Sequence, residues 1–107
     1  MKKKITKKEQ RKLERKERNK KDKEWKEKVK KRDGWCCIVC GEMKRLSAHH
    51  IIPREIKKTR HILDNGVALC PRHHKYSFII SAHRNAFAFY NFLWENRPEQ
   101  LKRLLRV

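Results

Sequence analysis

Glycine, proline and acidic residues are scarce in this chain. The 107 residues include three glycines, three prolines and 12 Asp/Glu against 31 Lys/Arg. No stretch approaches the roughly 20 consecutive apolar residues that a membrane span requires. Residues 1–32 also lack the apolar segment of a secretory signal. These absences predict a cytoplasmic protein, in which cysteines stay reduced and paired cysteines more often bind metal than form disulfides.

The positive charge is large for a short chain. The formal net charge is +19, which indicates a polyanionic partner, most commonly nucleic acid. A charge that serves only solubility or a membrane surface is the alternative. It has less support because no basic face here is accompanied by an apolar stripe. We therefore predict a nucleic-acid partner.

Residues 1–33 hold much of this charge, with 18 Lys/Arg against 7 Asp/Glu and neither Gly nor Pro before Gly34. Several glutamates precede a cation by four residues, as Glu17 precedes Lys21, and this order favours a helix. Only Trp25 and Val29, one turn apart, offer an apolar patch near its end. We predict a basic helical arm over residues 1–33. It either follows phosphates, adding salt-dependent affinity, or remains a solvated helix without specific contacts.

The turn signal Asp33-Gly34 separates the arm from a second segment, residues 34–107. An apolar core formed by about seventy residues is usually marginal without a metal or disulfide. Two pairs of residues with matching two-residue spacing can supply a metal site. Three thiolates and one imidazole suit tetrahedral zinc, and Gly41 permits the tight turn that such a pair needs. We predict a structural zinc site formed by Cys37, Cys40, Cys70 and His73.

Cys36 is out of phase with this spacing. A pairing of Cys36 with Cys40 stays open; otherwise Cys36 is a small core residue or a spare thiol.

The remaining pattern predicts short elements around the cysteines. Trp35 is expected to cover the small core, and Phe87, Trp94 and either Phe89 or Tyr90 are expected on the buried side of a helix. Pro98 is expected where the last helix begins. The predicted elements are strands over 46–52 and 67–69, helices over 73–80, 85–96 and 99–106, a basic connector over 54–60 and a break at 81–83.

Four short motifs lie among the zinc pairs: His49-His50-Ile51-Ile52-Pro53, Asn65-Gly66-Val67, Leu69-Cys70 and His73-His74. In this order and spacing they resemble the His-Asn-His (HNH) endonucleases of bacteriophages and restriction systems and, more distantly, the colicin DNases. The resemblance covers about residues 33–83 and leaves out the arm. It implies an α+β protein with a small ββα-metal, treble-clef-like domain stapled by zinc, here with C-terminal helices.

The resemblance also implies roles for individual residues. His49 and His74 match ligands of a catalytic divalent ion, His50 matches the general base, and Asn65 matches the residue that orients this base. The chemistry agrees, because phosphodiester hydrolysis needs a proton acceptor near neutral pH and a cation. Neighbouring residues on a strand point to opposite faces, so His49 and His50 can do different jobs.

Two positions depart from the family pattern. Many relatives have Asp where His49 stands, and an imidazole there shifts metal preference from Mg²⁺ towards Mn²⁺, Ni²⁺ or Zn²⁺. Colicin-type members have a further histidine one turn after the second ligand, where this chain has Ser77 and Phe78. His83 is a candidate replacement, and His61 is interpreted as a solvent or phosphate contact.

Two functions follow from the sequence. The first is a metal-dependent DNA endonuclease, which nicks or cuts both strands, in the host cytoplasm if phage-encoded and with a phage packaging enzyme (terminase) as a candidate partner. The second is a noncatalytic zinc-stapled module that binds nucleic acid. The combination of His50, Asn65 and His74 favours the endonuclease, because a pure binding module has no need of a base beside a metal.

Overall fold

The computed structural model describes residues 4–107, so residues 1–3 of the predicted arm lie outside the described range. Two antiparallel strands form the sheet, with Ala48 opposite Ala68 and His49 opposite Val67. The elements in chain order are helix α1 (Lys7–Arg32), strand β1 (Ser47–His50), a 3-10 turn (Leu63–Asn65), strand β2 (Gly66–Leu69), a π-helical turn (Arg72–Tyr76), helix α2 (Ala86–Asn96) and helix α3 (Pro98–Leu105). The predicted α+β class is confirmed.

Helix α1 runs without interruption because its sequence contains neither Gly nor Pro. Thr6 caps its start, since the Thr6 hydroxyl accepts a hydrogen bond from the backbone N–H of Glu9 at 3.1 Å. Three cations, Lys30, Lys31 and Arg32, lie in its last turn, where they complement the helix dipole. The helix ends at the predicted turn, in which Gly34 has a φ of +71°.

Helix α1 packs on the hairpin through its two buried side chains, Trp25 and Val29. Both lie over Gly66 of β2. A Cβ atom at Gly66 would stand 2.5 Å from Val29 Cγ2 and 2.6 Å from Trp25 Cζ2. Glycine is therefore required at position 66, because the helix approaches the strand too closely for any side chain.

Gly66→Ala should destabilise the protein. The added methyl group must displace Trp25 or Val29, and overpacking of this kind costs about 1–3 kcal/mol. We expect a lower midpoint at an unchanged slope in urea denaturation of the zinc-loaded protein. A midpoint equal to that of the unmodified chain would show that α1 shifts to accommodate the methyl group without loss of stability.

Asp33, directly after α1, ties the helix to the rest of the fold. Its buried carboxylate accepts the backbone N–H of Ala68 at 2.8 Å and forms ion pairs with Arg32 at 2.9 Å and Arg97 at 3.0 Å. Burial raises the pKa of this carboxyl, but the Arg32 and Ala68 donors outweigh it, so the pKa is lowered. One ionised carboxylate thus joins α1, β2 and the residue that precedes α3.

The core lies between the sheet and the C-terminal helices. Leu69, Phe89, Leu93 and Leu101 pack together there beside zinc-pair cysteines. The predicted buried face of α2 is partly wrong: Phe89 is buried, as one of the alternatives has it, but Phe87 is 89% exposed and Trp94 46% exposed. The helix turns Phe89 and Leu93, four residues apart, to the core instead.

Two further expectations are wrong. Trp35 does not cover the core: it is 48% exposed and holds a left-handed backbone with φ +57° in the turn after α1. Trp25 of α1 is the buried tryptophan here, and it packs over Gly66 of the hairpin. The helix expected over 73–80 ends at Tyr76, because the Ser77 hydroxyl then accepts the N–H groups of Ile79 and Ile80 in a turn.

The C-terminal helices begin near their predicted starts. The Asn85 side chain caps α2 by accepting the N–H of Ala88 at 3.1 Å. Pro98 occupies the first turn of α3. Within residues 4–107, no helix has the length and apolar character needed to cross a membrane.

Candidate active site

The four predicted zinc ligands come together in one cluster. Their donor atoms all lie within 4.8 Å of one another. Cys40 Sγ stands 3.7 Å from Cys70 Sγ, too far for a disulfide of about 2.05 Å. Two sulfurs bound to one tetrahedral zinc at about 2.3 Å would be roughly 3.8 Å apart. The donors of Cys37, Cys40, Cys70 and His73 can therefore hold zinc in this arrangement.

His73 enters this cluster through Nδ1, which lies 3.3 Å from Cys70 Sγ and 3.7 Å from Cys37 Sγ. Cys36 stays outside, with its thiol 3.2 Å from the carbonyl oxygen of Asp33. The structure therefore favours the two-residue spacing that begins at Cys37. Gly41 follows with a φ of +80°, the left-handed conformation that a tight knuckle needs.

The thiols of this cluster differ in acidity. Burial raises the pKa of Cys37, but backbone N–H donors near Cys70, Cys40 and Val39 outweigh it and lower the pKa. Partial burial and the neighbouring thiols of Cys70 and Cys37 raise the pKa of Cys40 to about 11. Zinc binding must therefore displace a proton from Cys40.

A second cluster consists of three imidazoles. His49, His74 and His83 place one ring nitrogen each within 4.8 Å of the others. His74 Nε2 and His83 Nε2 are 3.1 Å apart. Two nitrogens that bind one ion at about 2.1 Å are separated by roughly 3.0–3.4 Å. This donor set fits a divalent transition metal, which imidazole suits well.

Backbone pairing explains why these histidines meet. His49 lies on β1 and His74 on the π-helical turn that follows β2. The chain then turns back, and the N–H groups of Ala82 and His83 donate to the carbonyls of His73 at 2.9 Å and His74 at 3.0 Å. The break predicted at residues 81–83 thus carries His83 to His74, where it supplies the third imidazole.

The imidazoles of His49 and His74 are both uncharged at neutral pH. Burial, followed by the neighbouring His74, His83 and His50, lowers the pKa of His49 to about 3. Burial and the neighbouring His83 and Lys75 lower the pKa of His74 to about 4. A neutral imidazole is the form that binds metal, so these two residues offer free lone pairs.

His50 lies beside this cluster with a different environment. Its ring stacks on the indole of Trp25, with centroids 3.9 Å apart and planes inclined by 10°. His50 Nε2 is 3.0 Å from the carbonyl oxygen of Arg60. A carbonyl only accepts, so Nε2 carries the proton and Nδ1 is left as an acceptor. Burial, and the charge of Arg60, lower the pKa of His50 against the opposing effect of that carbonyl.

Asn65 is fully buried and acts on the connector between the strands. Its side-chain N–H groups donate to the carbonyls of Ile52 at 3.1 Å and Thr59 at 3.0 Å, and its oxygen accepts the Ile52 N–H at 2.6 Å. Within residues 4–107, Asn65 forms no hydrogen bond with the His50 side chain. Any orienting effect on His50 therefore passes through the connector, which ends at the Arg60 carbonyl.

The histidines open into a cleft of about 800 Å³. Tyr90 of α2 forms part of its wall and donates its hydroxyl to the Ile51 carbonyl at 3.1 Å. His49, His50, His74 and His83 all line this cleft, and so do the cations Lys26, Lys30, Arg54 and Lys75. Positive charge in the same cleft as a histidine cluster suits an anionic backbone such as phosphodiester.

Comparison with known proteins agrees with this geometry. Residues 37–76 match a family model described as HNH endonuclease, so the chain contains an HNH endonuclease domain over these residues. At family level this domain points to a nuclease-type hydrolase, and HNH nucleases act on DNA. Neither the curated proteins nor the solved structures include a significant match to the chain.

The sequence pattern does not predict the positions that three residues take in or near the site. His83 is only a candidate replacement there, because a lone histidine in a turn carries no spacing signal. Trp25 is expected to pack on the domain, but not against His50. His61, interpreted as a solvent or phosphate contact, instead lies 2.6 Å from Asp22 of α1.

Acidic pH should weaken the fold through His49. Its pKa is about 3 in the folded chain against 6.5 for the free group, so between these values the unfolded state binds more protons. Stability is then fully present above pH 6.5 and declines as the pH falls towards 3. We expect His49→Gln to flatten the fall in urea stability between about pH 7.5 and 5.5, measured with zinc retained and no other divalent ion added. An equal pH dependence in both proteins would contradict this.

Proposed function

We propose that this protein is a metal-dependent DNA endonuclease in which His50 is the general base. The observation that carries the proposal is the placement of His50 beside a three-imidazole cluster in a cationic cleft. The HNH endonuclease domain over residues 37–76 supports the same chemistry. Cys37, Cys40, Cys70 and His73 are proposed to hold structural zinc, and His49, His74 and His83 a catalytic divalent ion.

The proposed proton transfer begins at His50. Its Nε2–H is directed to the Arg60 carbonyl, so Nδ1 is the atom that accepts a proton from the attacking water. The resulting imidazolium keeps its hydrogen bond to that carbonyl, which favours the charged ring. A bound divalent ion supplies positive charge that stabilises the phosphate and the leaving oxygen. Lys26, Lys30 and Arg54, which line the cleft, are placed to bind neighbouring phosphates.

The donor set indicates which ions should support activity. Three imidazoles without a carboxylate suit Mn²⁺, Ni²⁺ or Zn²⁺ better than Mg²⁺, which prefers oxygen ligands. His49, at the position where many relatives have Asp, contributes most to this difference. We therefore expect cleavage with Mn²⁺ or Ni²⁺ to exceed cleavage with Mg²⁺.

Cleavage of supercoiled plasmid tests the function directly. The zinc-loaded protein is incubated with Mg²⁺, Mn²⁺ or Ni²⁺, and nicked and linear products report whether one strand or both are cut. We expect cleavage that depends on the added ion. Binding of DNA without cleavage under all three ions would favour the noncatalytic zinc-stapled module. A cytoplasmic location and a packaging enzyme as partner stay predictions.

The cationic start of α1 should govern the salt dependence of DNA binding. Lys8, Lys12 and Lys16 are exposed and lie several turns before Trp25. Changing all three to Gln should weaken binding and flatten the plot of log affinity against log salt by about 0.9 for each phosphate that is no longer neutralised. The cleavage rate at saturating DNA should not change. A binding titration across salt concentrations checks this, and an unchanged slope would favour a solvated helix.

A further inference from the structure

Helix α1 lies outside the matched residues 37–76, yet it contacts His50 directly. The indole of Trp25 covers one face of the His50 ring in a nearly parallel stack. The indole is itself fixed, because Trp25 Nε1–H donates to the Ile62 carbonyl at 2.8 Å and only 2% of Trp25 is exposed. A flat, immobile surface on one side limits rotation of the imidazole about its χ2 angle.

A second contact from α1 reaches His50 through Arg60. Asp22 accepts two hydrogen bonds from the Arg60 guanidinium, at 2.9 Å and 2.7 Å, and a third contact from His61 at 2.6 Å. Both partners of the ion pair are more than four-fifths buried. The pair holds the backbone at Arg60, whose carbonyl oxygen lies 3.0 Å from His50 Nε2. Asp22 thus fixes the acceptor that sets the tautomer of His50.

These two contacts approach the imidazole from different directions. Trp25 acts on its face and the Arg60 carbonyl acts on one nitrogen, and in the described part of the chain no hydrogen bond occupies Nδ1. We propose that Trp25 and Asp22 of α1 are positioning residues for the His50 base, so that the basic helix completes the active site in addition to binding DNA. The proposal rests on the proposed function for its kinetic consequences, but the placement of the ring can be tested separately.

Trp25→Leu tests the stack. Loss of the indole face should lower kcat by about 10- to 100-fold, since a displacement of about 1 Å can cost 100-fold in rate. The KM for DNA should stay unchanged because Trp25 is buried and uncharged. Trp25→Phe, which keeps an aromatic face, should recover most of the loss.

Val29→Ala is the matched control for this variant. Val29 is fully buried one turn further along α1 and packs over Gly66 beside Trp25. Having no aromatic ring, it takes no part in the stack on His50. The substitution weakens the packing of the helix and leaves the stack in place. The two variants are compared at an equal loss in free energy of unfolding. If Val29→Ala then lowers kcat as much as Trp25→Leu does, Trp25 has no positioning role.

Asp22→Asn tests the second contact. It also tests the proposal independently if Trp25→Leu does not fold. Its matched control is Glu17→Gln, which makes the same change of charge at an exposed ion pair with Lys21 on the same helix. Both variants gain one unit of positive charge, so their DNA affinities should rise alike. Only Asp22→Asn should lower kcat, by about 3- to 10-fold, because the Arg60 carbonyl is displaced.

The ¹⁵N chemical shifts of the His50 ring give a readout that does not depend on activity. The wild-type chain should show a protonated Nε2 and an unprotonated Nδ1. Asp22→Asn and Trp25→Leu should show mixed tautomers, while Val29→Ala and Glu17→Gln should retain the wild-type pattern. An unchanged pattern in both α1 variants would overturn the proposal. If the wild-type chain cleaves no DNA, the proposed function fails, and the ring pattern still decides whether α1 positions His50.

Discussion

His50→Ala is expected to lower the cleavage rate by about 100- to 10,000-fold, the usual range for a general acid or base. The ring is partly buried and its Nε2 contacts a backbone carbonyl. Its removal takes away the proposed proton acceptor and leaves both candidate metal clusters complete. Zinc content, thermal unfolding and DNA affinity should therefore remain close to those of the unmodified chain.

Metal dependence should distinguish the base from the ligands. His49→Ala and His74→Ala each remove an imidazole from the three-histidine cluster, so added Mn²⁺ or Ni²⁺ should partly restore their rates. The same addition should not raise the rate of His50→Ala, because a cation cannot accept a proton. Asn65→Ala should resemble a weaker His50→Ala, since Asn65 holds the connector that ends at Arg60. Full cleavage by purified His50→Ala would remove the general base from the proposal.

Cys70→Ser should cost the protein both its zinc and its fold. Cys70 is 3% exposed, belongs to the hydrophobic core and stands within reach of two other zinc donors. Structural zinc sites contribute about 10–16 kcal/mol of apparent binding energy, which is as large as the whole stability of a typical domain, about 5–15 kcal/mol. We expect the variant to show no bound zinc by elemental analysis and no cooperative unfolding transition.

Cys36→Ser is the control for this variant. Cys36 is next to a zinc ligand in sequence but lies outside the cluster, with its thiol near the Asp33 carbonyl. A hydroxyl can make the same contact, so zinc content and stability should be nearly unchanged. Loss of zinc in Cys36→Ser would show that the ligand set is wrong. A zinc-free Cys70→Ser that still folds and melts like the unmodified chain would show that the zinc is not structural.

The sequence predicts those parts of the site that depend on short spacing. Two residues lie between Cys37 and Cys40, and two lie between Cys70 and His73. A tight turn is enough to direct each pair at one ion. Adjacent residues on a strand, such as His49 and His50, point to different faces for an equally local reason. These relations need no knowledge of the tertiary structure.

Other parts depend on contacts between distant segments. The Trp25 stack requires α1 to cross β2 at Gly66, and only the absence of a side chain there permits it. His83 reaches His74 because the helix expected over 73–80 stops at Tyr76 and the chain turns back. Periodicity favours a longer helix in that region, but hydrogen bonds to the Ser77 hydroxyl end it. Neither outcome can be read from the spacing of residues alone.

Helix α1 is synthesised before every partner on which it packs. An isolated helix of this kind can form in about a microsecond, but 37 residues separate Trp25 from Ile62, whose carbonyl accepts its indole N–H. Gly66 and the Arg60 carbonyl also emerge from the ribosome later. A nascent chain therefore carries a positively charged helix before the His50 ring is held in place. Under the proposed function, affinity for nucleic acid would precede the ability to cut it.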